Sequence, residues 1–249
     1  MLFFLFARVT KHTMAADFSN VSVDLPKFYD FTEAYPHCDF GPLQQPCGCC
    51  YAYSALKVMS HRFCKITGKK LMFSPQNVVA CDLFDLGCVG GNEKSVFYYM
   101  EQHGVTDIDC HPWKDVLQYS PQVCNKCFGN RKMQHYFAEK WSTKHYIGID
   151  NIKKGIFLEG PIAASVGTDW KFDKYQGGYY TSSIDLVNGA ANHSVEIIGW
   201  GEEKDGKPYW IAYNHHGAHW GKNGKMTIRM GHNDGFIESY LTAALPLLN

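Results

Sequence analysis

Ten cysteines crowd into the first 127 residues, and none follows them. They are Cys38, Cys47, Cys49, Cys50, Cys64, Cys81, Cys88, Cys110, Cys124 and Cys127. Cysteine at this density in one half of a chain reads as a disulfide framework, which needs an oxidising secretory or lumenal compartment. The competing reading is a reduced protein whose thiols bind metal. Eight cysteines can pair in about a hundred ways, and the sequence by itself does not choose among them.

The rest of the chain has a different texture. Its 249 residues suit one large domain or two lobes around a shared cleft. Lys and Arg total 24, as do Asp and Glu, and this balance argues against a nucleic acid or an anionic membrane as the main partner. Met1 to Ala7 is apolar but Arg8 interrupts it, so it is too short to span a membrane. It also lacks the leading basic residues of a signal peptide. Residues 1–24 read as an extension and 25–249 as the folded domain, helical over 25–128 and mostly β over 129–249. Helices are expected over 50–63, where Ala52, Leu56 and Met59 share a face, and over 75–81 and 93–103. Gly87, Gly90 and Gly91 mark a loop between the last two. Strands are expected over 195–201, 209–214 and 226–230, the first two joined through a turn at Asp205-Gly206.

Two places carry possible chemistry. Cys50 opens the first helix, where unpaired N–H groups and the helix dipole favour a thiolate and should lower the thiol pKa. A thiolate attacks carbonyls, but it needs an imidazole partner. The predicted hairpin supplies one. His193 precedes its first strand and Asn214 ends its second, and a turn at Asp205-Gly206 makes them neighbours within a few residues of register. An Asn beside a His can hold the ring and its tautomer. With twelve histidines in the chain, a surface His and a strand-end Asn remain the default.

A resemblance decides between these readings. Gln44-Gln45-Pro46-Cys47-Gly48-Cys49-Cys50-Tyr51 resembles the active-site segment of papain-like cysteine peptidases. His193 follows Cys50 at about the 130–150 residues expected for that family. Asn192-His193-Ser194, Asn214-His215-His216-Gly217 and the segment from Cys81 to Gly91 resemble its histidine, asparagine and substrate-strand segments. Leu25-Pro26, Tyr35-Pro36-His37-Cys38, Cys110-His111-Pro112 and Cys124-Asn125-Lys126-Cys127 are similar to the cathepsin B branch. The resemblance implies an α+β fold, with a helical lobe and an antiparallel β-barrel-like lobe around an active-site cleft. It implies Cys50 as nucleophile, His193 as acid–base partner and Asn214 as the group that orients it. Gln44 and the Cys50 N–H would form the oxyanion hole. Gly90 and Gly91 would meet the substrate strand, and Tyr240 would floor the pocket for the residue two before the scissile bond. The implied disulfides are Cys38–Cys64, Cys47–Cys88, Cys81–Cys124 and Cys110–Cys127. No cofactor or metal is implied. The expected partners are protein or peptide substrates and cystatin-like inhibitors, for a monomer in a lysosome-like vesicle or outside the cell.

The chain also departs from that pattern. Only a short segment separates Cys110 from Cys124, so the insertion that makes cathepsin B a dipeptide-removing enzyme is expected to be absent, and endopeptidase action follows. An aromatic Tyr240 in place of an acidic floor predicts apolar preference in that pocket. His216 replaces a tryptophan that covers the His–Asn pair, and Cys49 sets a second thiol beside the first, inviting a vicinal disulfide. Twenty-four residues are fewer than the family's inhibitory propeptide takes, so the expectation is a chain that folds without one or an incomplete copy. Two rivals follow: a catalytically inactive relative that acts by binding, and a metal protein using His215, His216, His219, Cys124 and Cys127. Asn20 is a candidate glycosylation site.

Overall fold

A computed structural model describes residues 14–184 and 189–248. The apolar run Met1 to Ala7 lies outside them. Six α-helices occur among the described residues: α1 (Phe31–Ala34), α2 (Cys50–Thr67), α3 (Pro75–Cys81), α4 (Glu93–Gln102), α5 (Ile149–Leu158) and α6 (Trp170–Asp173). Nine strands accompany them: β1 (Met14–Ala15), β2 (Tyr29–Asp30), β3 (Lys144–His145), β4 (Ile162–Val166), β5 (Tyr179–Tyr180), β6 (His193–Glu202), β7 (Pro208–Tyr213), β8 (Lys225–Arg229) and β9 (Leu241–Ala243).

The central helix α2 is buried on almost every side, because Ala52, Ala55, Leu56, Val58 and Met59 leave no polar stripe over its first turns. It runs past the expected end at residue 63 because Gly68 supplies a left-handed cap (φ 70°) whose N–H reaches Cys64 O. Arg62 pins it to the sheet, donating to the carbonyls of Pro161, Gly160 and Ala244. Ser74 caps α3 through Asn77 N, with Pro75 at the first helical position, and Asn92 caps α4 through Lys94 N.

The sheet runs in the order β1-β3-β9-β4-β6-β7-β8-β5, with β2 also on β6. It is not closed into a barrel: its outer strands β1 and β5 pair only with β3 and β8, which keeps to the expected α+β architecture. The β6–β7 connection is the five residues 203–207. Glu203 N bonds Lys207 O and Gly206 N bonds Glu203 O, with Gly206 at φ 82°. A bulge between Ile197 and Gly199 then shifts the register again, giving Trp200↔Trp210 before it and Glu196↔Tyr213 after it.

Residues 14–24, read from sequence as an extension, contribute to the sheet. Met14 and Ala15 pair in parallel with Lys144 and His145, and Ala16 N donates to His145 O. Phe18 is buried and stacks on Tyr146.

Four disulfides join Cys38–Cys64, Cys47–Cys88, Cys81–Cys124 and Cys110–Cys127. Cys49 and Cys50 are free thiols.

Candidate active site

A cleft of about 510 Å³ opens where the N-terminus of α2 meets the start of β6. Cys50 is the first residue of α2 and His193 the first of β6, and both line it. Behind Cys50, Gly48 closes on the loop from Gly87 to Gly91. A Cβ on Gly48 would lie 2.6 Å from Cys88 O, so only glycine permits the Gly48 N–Cys88 O bond. Gly90 (φ 146°) and Gly91 form the cleft's opposite lip.

His193 Nε2 lies 2.7 Å from Asn214 Oδ1. The same oxygen accepts from His215 N at 2.7 Å, which fixes the amide's orientation. An oxygen only accepts, so Nε2 carries the hydrogen and Nδ1 is left with a lone pair. Asn214 is fully buried at the end of β7. The bulge that shifts the hairpin register brings these two residues together although they lie outside direct pairing.

Burial holds His193 down to about 4; the Asn214 bond opposes this and His216 adds to it. Burial also pushes the Cys50 thiol up, and the Glu93 carboxylate adds to that, while backbone hydrogen bonds from Ser194 on β6 and from Tyr51 and Cys50 at the helix start work the other way. The helix-start expectation of a lowered thiol is therefore overridden by desolvation and a nearby negative charge. Singly, neither charge is favoured, because burial works against both.

Cys49 is the residue before α2, buried, with its thiol pushed up to about 12 by desolvation. It stays protonated, which protects it from oxidation. His216 packs half-buried against His193 (centroids 4.9 Å), with Phe172 and Trp220 completing the apolar cover. The cover is thus shared among three side chains.

The two neighbouring glutamines separate. Gln44 is exposed and pairs its backbone with His216, while its side chain lies against Gly217. Gln45 lines the cleft and donates its side-chain amide to Cys47 O at 2.9 Å. Tyr240 also lines the cleft, but it is 55% exposed and stands at the mouth rather than as a floor. The buried part of the lining is polar, with Glu93 and Ser194 beside the half-buried Ser165, all of which sequence reasoning missed. Glu93 had the appearance of an ordinary acidic residue in a first helical turn.

The segment between Cys110 and Cys124 packs elsewhere. Leu117 O accepts from Cys88 N, and Ser120 N donates to Ala80 O, so it lies along α3 and the glycine loop. Of the proposed metal ligands, Cys124 and Cys127 sit in separate disulfides. No helix among the described residues is long and apolar enough to cross a membrane.

Comparison with known proteins places this arrangement. Residues 25–245 match the family described as papain family cysteine protease. The chain is 33% identical over 220 residues to cathepsin B-like CP2 of Giardia intestinalis, covering 86% of this chain and 72% of that protein. It is 27% identical over 264 residues to cathepsin B-like protease 1 of Arabidopsis thaliana, covering 91% and 69%. Among solved structures, procathepsin B from Trypanosoma congolense superposes with a TM-score of 0.84 at 23% identity, covering 96% of this chain and 84% of that one. The fold, the matched span and these relatives make the chain a member of the papain family of cysteine proteases, in its cathepsin B-like branch.

Proposed function

We propose that this cysteine peptidase is an endopeptidase in which Cys50 is the nucleophile and His193 its acid–base partner. The observation that carries the reading is the shared acceptor Asn214 Oδ1, which holds His193 with Nδ1 unprotonated in the cleft that contains the Cys50 thiol. The Sγ proton passes to Nδ1, and the thiolate adds to the peptide carbonyl as the C–S bond forms. The imidazolium gives its proton to the leaving amine as the C–N bond breaks. Water, deprotonated by the same Nδ1, then hydrolyses the thioester and restores the thiol. Asn214 positions the ring through both steps. The Cys50 N–H, free at the helix start, and the Gln44 amide stabilise the oxyanion. Gly90 and Gly91 take the substrate strand through their backbones.

Endopeptidase action is supported by the cleft itself, whose lining comes from residues 45–51, 89–93, 165, 191–194 and 240. The 111–123 segment bonds to Ala80 and Cys88 and supplies none of the residues lining this cleft. Four disulfides favour an endomembrane lumen or the cell exterior as the working compartment.

An active-site-directed epoxide followed by mass spectrometry tests the nucleophile. The expected result is a single adduct on Cys50 under mild reduction, lost in Cys50→Ala. Absence of labelling would instead favour a relative that only binds. Digestion of an internally quenched peptide should yield internal fragments, and stepwise dipeptide release would overturn the endopeptidase reading.

A further inference from the structure

The loop from Asp82 to Gly91 carries the glycine lip of the cleft, and two carboxyl groups lie within it. Asp85 Oδ1 accepts from Asn92 N and from Ser95 Oγ, each at 2.9 Å. A Cβ on Gly91 would lie 2.6 Å from the same oxygen, so this carboxyl group packs directly against the lip. Asp82 is 2% exposed, and its Oδ1 accepts from Phe84 N at 2.8 Å. The Oδ2 atoms of both residues are buried, and neither has a hydrogen-bond donor. The two side chains are nevertheless within hydrogen-bonding reach of each other.

A carboxylate oxygen only accepts, so two ionised groups cannot satisfy each other, whereas one proton between them gives both orphaned oxygens a partner. The surroundings favour keeping that proton. Among the described residues no Lys, Arg or His forms an ion pair with either group. The titratable neighbours are Tyr51 on α2 and Glu93 and Tyr99 on α4, all neutral or anionic. Burial, then the bond to Asp85 and its charge, pushes the Asp82 carboxyl up to about 7, although Phe84 N–H opposes this.

We propose that Asp82 and Asp85 share one proton and that this proton positions the Gly90–Gly91 lip for the substrate strand. The inference rests on the reading that the two glycines take that strand. When the proton leaves for solvent, two carboxylates face each other without a cation and repel. Asp85 then turns away and gives up Asn92 N and Ser95 Oγ, which loosens the lip. Strand binding is therefore tightest in acid and weakens as the pair loses its proton.

The test measures equilibrium binding of a capped, uncharged fluorescent octapeptide to the Cys50→Ala protein, where neither cleavage nor the thiol intervenes. Its Kd should rise about fivefold or more from pH 6 to pH 8.5. Adding Asp82→Asn, whose amide donates to Asp85 at every pH, should hold the pH 6 value throughout. His193, held down to about 4, stays neutral over this range. A step caused by Glu93 would survive in Asp82→Asn. A Kd that does not change with pH, or a step that survives in Asp82→Asn, would overturn the proposal. If Asp82→Asn does not fold, Asp85→Asn takes its place, since its amide donates to Asp82 while its oxygen still accepts from Asn92 and Ser95. The expected pH step with no cleavage by the wild type would sink the endopeptidase and keep the shared proton. Cleavage with pH-independent binding would do the reverse, and neither binding nor cleavage would end both.

Discussion

At the scale of residues, the site was legible where chemistry is local and opaque where it depends on packing. A helix start and a hairpin are short-range patterns that brought Cys50, His193 and Asn214 into view, but only the resemblance to papain-like peptidases chose them over the default. The thiol's raised pKa could not be read, since its burial, and after that the charge of Glu93, come only from the tertiary fold. The neighbouring glutamines illustrate the same limit, because one residue of register decides which amide meets the oxyanion. Gln44→Ala should lower kcat by about a hundred- to a thousandfold with little change in KM, as removal of an oxyanion donor does. Gln45→Ala, whose amide is already spent on Cys47 O, should lower it much less. Steady-state kinetics of the two variants checks this, and the reverse order would move the oxyanion donor to Gln45.

His215 offers a second residue-level prediction. It is fully buried, and neither ring nitrogen has a hydrogen-bond partner. Burial holds it well below its usual 6.5, and Lys57, His193, His216 and His61 nearby add to this. The folded state therefore binds fewer protons than the unfolded state once pH falls under 6.5. Stability from this group is fully present above pH 6.5 and is lost progressively in acid. His215→Leu removes the ring that must stay neutral, so its melting temperature should fall less between pH 7.5 and pH 5 than the wild type's. Parallel slopes in thermal unfolding across that range would refute the assignment.

At the scale of elements, the helices α2, α3 and α4 and the β6–β7–β8 meander follow from spacing, helped by the Ser74 and Asn92 caps and the turn at Gly206. What spacing missed came from distant pairing. The α2 C-terminus needed Gly68 recognised as a left-handed cap, and the hairpin register needed the bulge near Gly199. The strand β1 had no signal at all, since two residues on a sheet edge have no period to read. Its anchor is Phe18, buried at 8% exposure against Tyr146, with its carbonyl accepting from Lys154 Nζ. Phe18→Ala should cost about 3 kcal/mol, at the lower end for a core aromatic because the site is near an edge. Chemical denaturation would measure it. A change under about 0.5 kcal/mol would return residues 14–24 to the status of a loose extension.

At the scale of the whole molecule, the cysteines divide labour that the sequence could only count. All four bridges lie in the half that carries Cys50, and the sheet half has none. Cys47–Cys88 ties the turn before Cys50 to the glycine loop that forms the cleft's lip, across a sequence separation of 41 residues. Cys110–Cys127 closes a separation of 17 residues away from the cleft lining. Loop-closure entropy assigns the two similar stabilities, about 4 and about 3 kcal/mol. Their effects on catalysis should nevertheless diverge. Replacing Cys47 and Cys88 by alanine frees the lip as well as loosening the fold, so KM should rise several-fold at temperatures where the protein remains folded. The Cys110–Cys127 double-alanine variant should lose comparable stability with KM unchanged. Denaturant titration and steady-state kinetics on the same two variants give both quantities. Equal changes in KM would mean that the Cys47–Cys88 bridge holds the fold alone and leaves the geometry of the cleft to Gly48 and its bond to Cys88 O.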